Sequence, residues 1–121
     1  MVTVYGLKQC TTTQKVIKFL EENGLEVGER LDIRDTPPSK KLVQLALATT
    51  SGKPRQLMNT SGGLYREMGL KDRLGDLSED EIATLLTQHG MLIKRPFITD
   101  GQRVSTGSKE AMLTDIWELN V

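Results

Sequence analysis

The sequence predicts an α/β fold with a mixed sheet, ordered β-α-β, then a helical stretch, then β-β-α. Three observations support it: an alternating β-branched segment opens the chain, an apolar helical face follows, and a hairpin signal lies near the far end. The length of 121 residues fits one domain, and the apolar fraction of 37% and the charged fraction of 26% are ordinary for a globular protein.

The first half of the chain carries a strand, a helix and a second strand. Residues 2–5 (Val-Thr-Val-Tyr) alternate and are β-branched or aromatic, which predicts a strand. Residues 13–23 place apolar side chains at helical spacing, and Gly24 stands where a glycine ends a helix. Residues 25–33 predict a second strand. A strand, a helix and a strand in such short succession form a βαβ unit, so the two strands should be parallel.

The middle of the chain, about residues 37–92, predicts a helical insertion. A Pro-Pro break precedes its first helix, and glycines separate short helical turns over residues 54–76. Ser78 and Glu81 form a capping box for a further helix. We therefore expect a single domain over residues 1–121 with this insertion inside it.

The last part of the chain predicts a hairpin and a helix. Residues 97–99 and 102–105 flank Asp100-Gly101, a dipeptide typical of tight turns between antiparallel strands. Apolar residues at helical spacing from about Ser108 predict the final helix. Together, the β-α-β and β-β-α parts match a thioredoxin-like core, which is the fold class that the sequence favours.

Composition and charge exclude several classes of function. Lysine plus arginine balance aspartate plus glutamate at 16 each, so the basic excess of nucleic-acid binding proteins is absent and direct nucleic-acid binding is not expected. No apolar run approaches the roughly 20 residues of a membrane span, and the chain start lacks a secretory pattern. A cytoplasmic monomer without membrane contact is therefore expected. One cysteine and one histidine provide neither a disulfide nor a metal site, and no bound cofactor is expected.

The single cysteine, Cys10, lies between the first predicted strand and the first predicted helix. A thiol at a helix start meets free backbone N–H groups and the positive end of the helix dipole, which stabilise a thiolate. Thr11, Thr12 and Thr13 can cap the helix or donate hydroxyl groups, and with Pro96 they are the candidate substrate-binding residues. A lone cysteine is more often a small buried apolar residue, but the polar flanks here favour a reactive thiol.

Arg55 and Arg95 are the candidate catalytic partners of this thiol. A guanidinium group donates two parallel hydrogen bonds to an oxyanion or a carboxylate. Arg95 precedes Pro96 at the head of the strand that follows the insertion, and before a proline a cis peptide bond costs little. Arg55 lies in a loop of the insertion. Taken alone, each arginine is more typical of a solvated surface charge.

Several motifs make the sequence resemble the arsenate reductase/Spx family, often called the ArsC family, over nearly the whole chain. They are Val4-Tyr5-Gly6 leading to Cys10, Thr13-Gln14-Lys15, Asp32-Ile33-Arg34, Asn59-Thr60-Ser61-Gly62 before Tyr65, and Gly90-Met91-Leu92-Ile93-Lys94-Arg95-Pro96. The resemblance implies a thioredoxin-like fold with a helical insertion. In the arsenate reductase branch it implies that Cys10 is the nucleophile and that Arg55 and Arg95 hold the oxyanion. The third arginine of that branch falls at or near Thr106.

Two functions of different classes follow from the resemblance. The first is a thiol-dependent oxidoreductase whose Cys10 thiolate attacks an oxyanion or a mixed disulfide with glutathione. Because the chain has no second cysteine, an external thiol such as glutathione with glutaredoxin must resolve the adduct. The alternative is an Spx-like regulator that contacts the α subunit of RNA polymerase; that branch uses a Cys-x-x-Cys switch, and Thr13 stands at the second cysteine position. A structural protein with an inert cysteine is the remaining interpretation.

Overall fold

Strands from both ends of the chain meet in one mixed sheet. The computed structural model describes residues 1–119, and its strands are β1 (Val2–Gly6), β2 (Val27–Asp32), β3 (Phe97–Thr99) and β4 (Val104–Thr106). Their order in the sheet is β2-β1-β3-β4. β1 is parallel to β2 and antiparallel to β3, and β3 is antiparallel to β4. The predicted α/β class and the β-α-β and β-β-α order of the elements are confirmed.

The helices lie on both faces of this sheet. They are α1 (Thr11–Glu22), α2 (Lys40–Ala48), α3 (Gly63–Glu67), α4 (Leu70–Arg73), α5 (Glu79–Gln88) and α6 (Glu110–Trp117), and 3₁₀ turns cover Pro54–Leu57, Leu74–Asp76 and Gly90–Leu92. Helices α2 to α5 follow β2 and precede β3, in the stretch where the sequence predicts the insertion. None of the helices within residues 1–119 is long and apolar enough to span a membrane.

Helix α1 begins two residues earlier, and β2 two residues later, than their sequence patterns indicate. Cys10 has extended backbone (φ −76°, ψ 118°) and takes the N-cap position, so Thr11 is already helical. At the other end, Gly24 has a φ of +88°, which glycine adopts without steric cost. The Leu25 N–H donates to the Leu20 carbonyl at 2.9 Å in the manner of a Schellman motif. Leu25 therefore closes the helix and is not free to extend the strand.

The two faces of the sheet carry separate apolar cores. Side chains alternate along β1, so Val2 and Val4 point to one face and Tyr5 to the other. On the first face, α1 and α6 pack through Val16, Ile17, Leu20, Leu113 and Trp117. On the second face, the helices between β2 and β3 pack around Phe97 and Val104 of the hairpin. The sheet is therefore covered on both sides, and polar residues gather at the ends of its strands.

Candidate functional site

Cys10 and Pro96 lie toward the same end of the sheet. β1 ends at Gly6, and the antiparallel strand β3 begins at Phe97, which pairs with Tyr5. The loop that leaves β1 leads to Cys10, whose N–H donates to the Leu7 carbonyl at 3.0 Å. The start of β3 therefore faces the loop that carries the thiol.

The pKa of the Cys10 thiol is lowered because donors at the start of α1 point toward its sulfur. The backbone N–H of Thr13 is the largest cause, and the Thr13 hydroxyl and the Thr12 N–H act in the same direction. The positive charge of Arg95 adds to them, whereas partial burial of the side chain acts against them. The thiolate is the nucleophilic form of cysteine, so this environment favours a reactive sulfur.

The side chain of Thr13 lies inside the protein, between α1 and β1. It is 5% exposed, and its hydroxyl makes no hydrogen bond of ordinary geometry within residues 1–119. A Cβ placed on Gly6 would lie 2.7 Å from Thr13 Cγ2 and 2.8 Å from Thr13 Oγ1, so the glycine leaves the space that Thr13 fills. Because the hydroxyl can rotate toward the sulfur, it lowers the pKa of Cys10 from the interior of the protein. A buried hydroxyl does not contact a substrate at the surface.

The other candidate substrate-binding residues are placed differently. Thr11 and Thr12 are exposed on the first turn of α1, next to Cys10. No threonine hydroxyl caps this helix, because Cys10 occupies the N-cap position. Pro96 is buried, and the peptide bond that joins it to Arg95 is cis.

Arg95 is half-buried, and its side chain is held by the preceding segment of the chain. Its guanidinium donates to the Met91 carbonyl at 3.3 Å and lies 3.5 Å from Met91 Sδ. Among residues 1–119 it forms no salt bridge, so its charge is not neutralised by a carboxylate of the described chain. Its positive charge is the smallest of the causes that lower the pKa of Cys10.

Arg55 is exposed on the 3₁₀ turn Pro54–Leu57 and bonds to the helices that follow. Its Nε donates to the Tyr65 hydroxyl at 3.2 Å, and its Nη2 donates to the Lys71 carbonyl at 2.9 Å. The guanidinium is therefore engaged within the region that the sequence assigns to the insertion. An anion at Cys10 would have to compete with these two hydrogen bonds for Arg55.

The backbone nevertheless brings the two arginine-bearing segments side by side. Met58 forms an antiparallel bridge with Ile93, and the Lys94 N–H donates to the Leu57 carbonyl at 2.7 Å. Arg55 precedes this bridge by three residues on one segment, and Arg95 follows it by two on the other. The bridge thus brings the segment that carries Arg55 beside the segment that carries Arg95.

Comparison with known proteins identifies the family of the chain. The model of the ArsC family matches residues 5–116, which is most of the chain. The chain belongs to the ArsC family. The resemblance that the motifs indicate is therefore confirmed, and with it the thioredoxin-like fold.

Relatives within the ArsC family carry descriptions of different classes. The chain is 41% identical over 116 residues to the protein YusI of Bacillus subtilis (strain 168), described as uncharacterized, covering 96% of this chain and 98% of that protein. It is 26% identical over 115 residues to the arsenate reductase of Haemophilus influenzae (95% and 97% covered). It is 24% identical over 110 residues to the global transcriptional regulator Spx of Streptococcus pneumoniae (91% and 80% covered).

Solved structures of similar proteins superpose over nearly the whole chain. A solution structure of SACOL0876 from Staphylococcus aureus has a TM-score of 0.82 at 38% identity, covering 97% of this chain and 98% of that one. The crystal structure of a possible arsenate reductase from Streptococcus mutans has a TM-score of 0.80 at 34% identity, covering 91% and 92%. Among residues 1–119, no cluster of three histidine, cysteine or acidic side chains could hold a metal ion.

The fold brings two lysines, which no sequence pattern marks as functional, beside Arg95. Lys94 and Lys109 line a cavity of about 690 Å³ together with Arg95 and Thr106. Each lysine reads as an ordinary exposed charge in a loop, and 15 residues separate them in the chain. Their proximity depends on the β3–β4 hairpin, so no local pattern in the sequence could have indicated it.

Proposed function

We propose that this ArsC family member is a thiol-dependent oxidoreductase that works through a single cysteine. The observation that carries the proposal is the environment of Cys10, where two backbone N–H groups, a buried hydroxyl and Arg95 all lower the thiol pKa. Such a perturbation, caused by donors and a charge at a helix start, is typical of catalytic cysteines. Relatives named arsenate reductase support the same class of chemistry.

The reaction with a glutathione mixed disulfide proceeds in two exchanges. The Cys10 thiolate attacks the glutathione sulfur, a new disulfide forms between Cys10 and glutathione, and the substrate leaves as a thiolate. A second glutathione thiolate then attacks this adduct, which releases oxidised glutathione and restores the Cys10 thiolate. The second thiol must come from outside, because the chain has no other cysteine. Glutaredoxin or another thiol reductant can supply the same step.

The reaction with an arsenic oxyanion needs the same external thiols. The Cys10 thiolate displaces one oxygen from arsenate, which leaves as water after protonation. An external thiolate then attacks the Cys10 sulfur of this adduct, the sulfur–arsenic bond breaks with its electron pair remaining on arsenic, and arsenic(III) leaves while a mixed disulfide with Cys10 forms. A second external thiolate attacks that mixed disulfide, releases the two external thiols joined as a disulfide and restores the Cys10 thiolate. Arg95 stabilises the bound oxyanion, with Thr11 and Thr12 at the rim. Arg55 joins it once its bonds to the Tyr65 hydroxyl and the Lys71 carbonyl are released.

The proposal is tested by the reactivity and turnover of Cys10. We expect alkylation of Cys10 to have a pH midpoint below ~8.5, the value of an unperturbed thiol. Arg95→Ala should move that midpoint upward and slow the reaction near neutral pH, because it removes a cation that stabilises the thiolate. Arg66→Ala is the matched control, since Arg66 is exposed on α3 and forms no salt bridge within residues 1–119.

Turnover assays then separate the two substrate classes. The protein is incubated with glutathione and glutaredoxin, and with either arsenate or a glutathionylated peptide. We expect turnover of at least one substrate by the wild-type protein and none by Cys10→Ser. A midpoint at or above ~8.5 together with no turnover of either substrate contradicts the proposal.

A second candidate function is regulation through the α subunit of RNA polymerase. The specific observation in its favour is the likeness to the regulator Spx. Thr13 stands where that branch has its second cysteine, so an internal disulfide switch is not available to this chain. A pull-down with the purified α subunit tests this candidate, and the absence of binding at micromolar concentration eliminates it.

A further inference from the structure

Strand β4 lies at one edge of the sheet and leaves part of its backbone unpaired. The Gly107 N–H donates to the Pro96 carbonyl, and the Asp100 N–H donates to the Arg103 carbonyl. These two residue pairs are therefore hydrogen-bonded pairs of the antiparallel ladder. Because bonded and non-bonded pairs alternate in an antiparallel ladder, the Ser105 groups also point to β3. The N–H and carbonyl groups of Val104 and Thr106 therefore point outward.

A groove runs along this outward edge. Its volume is about 690 Å³, within the range of ligand-binding cavities. Its floor contains Val104 and Thr106, α2 contributes Ala46 to one wall, and α6 contributes Met112 and Ile116 to the other. No hydrogen bond within residues 1–119 occupies the outward groups of Val104 and Thr106. The groove thus combines apolar side chains on both walls with free backbone donors and acceptors, and polar side chains such as Gln56 also line it.

The end of the groove beyond Thr106 is positively charged. Lys94, Arg95 and Lys109 all line it, and its lining contains no aspartate or glutamate. None of the three forms a salt bridge within residues 1–119. Gly107, with a φ of +91°, allows the Lys94 side chain to lie across the chain there, since a Cβ on Gly107 would come 2.9 Å from Lys94 Cδ. In a chain with zero net charge, this concentration of positive charge is local.

We propose that this groove binds an extended acidic segment of a partner protein, which adds as a strand beside β4. The segment would bond to the outward groups of Val104 and Thr106, place small apolar side chains against Met112 and Ile116, and carry its carboxylates at the cationic end. A helix would leave the backbone groups of β4 unpaired. A second copy of this chain offers no carboxylate from the same groove, whose lining contains no aspartate or glutamate, and this lack of charge complementarity disfavours it.

The surface shares Arg95 with the chemistry of Cys10, so it is tested at Lys94, Lys109 and Thr106, to which that chemistry gives no role. The probes are fluorescent peptide pools of about eight residues, in which valine and threonine alternate beside three acidic residues. One pool carries the acidic residues at its N-terminus and another at its C-terminus, which covers parallel and antiparallel addition. Matched pools carry lysines instead, and a further pair has alternate backbone nitrogens methylated, which prevents a ladder.

We expect the acidic pools to bind at least about tenfold more tightly than the lysine pools and the methylated pools. Binding should slow hydrogen exchange at the Val104 and Thr106 amides. The double variant Lys94→Glu/Lys109→Glu should weaken binding about tenfold, because attraction becomes repulsion. Thr106→Pro removes one outward N–H, which an edge strand tolerates, and should weaken binding, whereas Thr106→Val keeps the backbone and should not.

Three outcomes overturn the proposal. The first is that acidic and lysine pools bind equally or not at all. The second is that methylated acidic peptides bind as well as unmodified ones, or that inorganic sulfate competes fully without slowing exchange at Val104 and Thr106, since a simple anion site would then explain the binding. The third is self-association of the wild-type chain that buries β4. The methylated peptides keep the test valid if Thr106→Pro fails to fold.

Discussion

Replacing Thr13 by valine separates the stability of the first helix from the reactivity of its thiol. The side chain is 5% exposed, and its hydroxyl has no hydrogen bond of ordinary geometry within residues 1–119. Valine has nearly the same shape, so it should fill the space beside Gly6 without a cavity or a clash. Threonine and valine also have similar helix propensities. The substitution therefore changes one chemical group, the buried hydroxyl.

The expected magnitude follows from that burial. An unpartnered hydroxyl in the interior costs roughly 1–3 kcal/mol in mutational data. While Cys10 is protonated, Thr13→Val should therefore raise the free energy of unfolding by about 1 kcal/mol. The pH midpoint of Cys10 alkylation should move upward, because the hydroxyl no longer donates to the thiolate. It should stay below the value of a free cysteine, since the N–H groups of Thr13 and Thr12 remain.

Urea unfolding and iodoacetamide alkylation across pH measure the two effects on the same sample. Thr12→Val is the matched control, because the Thr12 side chain is exposed and should change neither quantity. The reasoning is refuted if Thr13→Val lowers stability by more than about 1 kcal/mol while the alkylation midpoint stays unchanged. That result would mean that the hydroxyl satisfies a partner other than the sulfur.

Two further predictions concern Cys10 and the glycines. Since its pKa is lowered on folding, the Cys10 thiolate contributes stability above the unfolded pKa of ~8.5, and this contribution is lost as pH falls through the folded pKa. Cys10→Ser should remove that pH dependence from urea unfolding; an unchanged slope would assign it to another group. Gly90→Ala should cost about 3 kcal/mol, because its Cβ would overlap the Ile33 carbonyl oxygen. Gly63→Ala meets no neighbour and should stabilise α3 by about 0.5–1 kcal/mol; equal effects in thermal unfolding would contradict the packing argument.

The parts of the fold that could be predicted from the sequence are those specified locally. The Asp100-Gly101 turn lies between β3 and β4, and Ser78 and Glu81 form the expected capping box at α5. The turns over residues 54–76 could be predicted only as irregular helix. They are too short to be stable alone, and they depend on tertiary packing of buried side chains, among them Leu57, Tyr65, Leu70 and Leu74.

In the candidate site, too, locally specified features could be predicted and features that depend on tertiary packing could not. Cys10 at a strand-to-helix junction and Arg95 before a proline are local signals, and the structure places the arginine where its charge acts on the thiol. The exposure of Thr12 and the burial of Thr13 could not be predicted, because three successive threonines look alike in sequence. Which of them points inward depends on the N-cap at Cys10, since one residue of helix phase decides it. The engagement of Arg55 likewise depends on residues distant in the chain.

The contact between Gly6 and Thr13 makes these two positions interdependent in evolution and in design. With only a hydrogen at position 6, a branched side chain fits at position 13; any larger residue at 6 would collide with it. A larger residue at position 6 should therefore be tolerated only together with a smaller side chain at position 13. Libraries that vary the first turn of α1 should keep glycine at position 6. Thr13, whose hydroxyl lowers the pKa of Cys10, fits only because Gly6 has no Cβ.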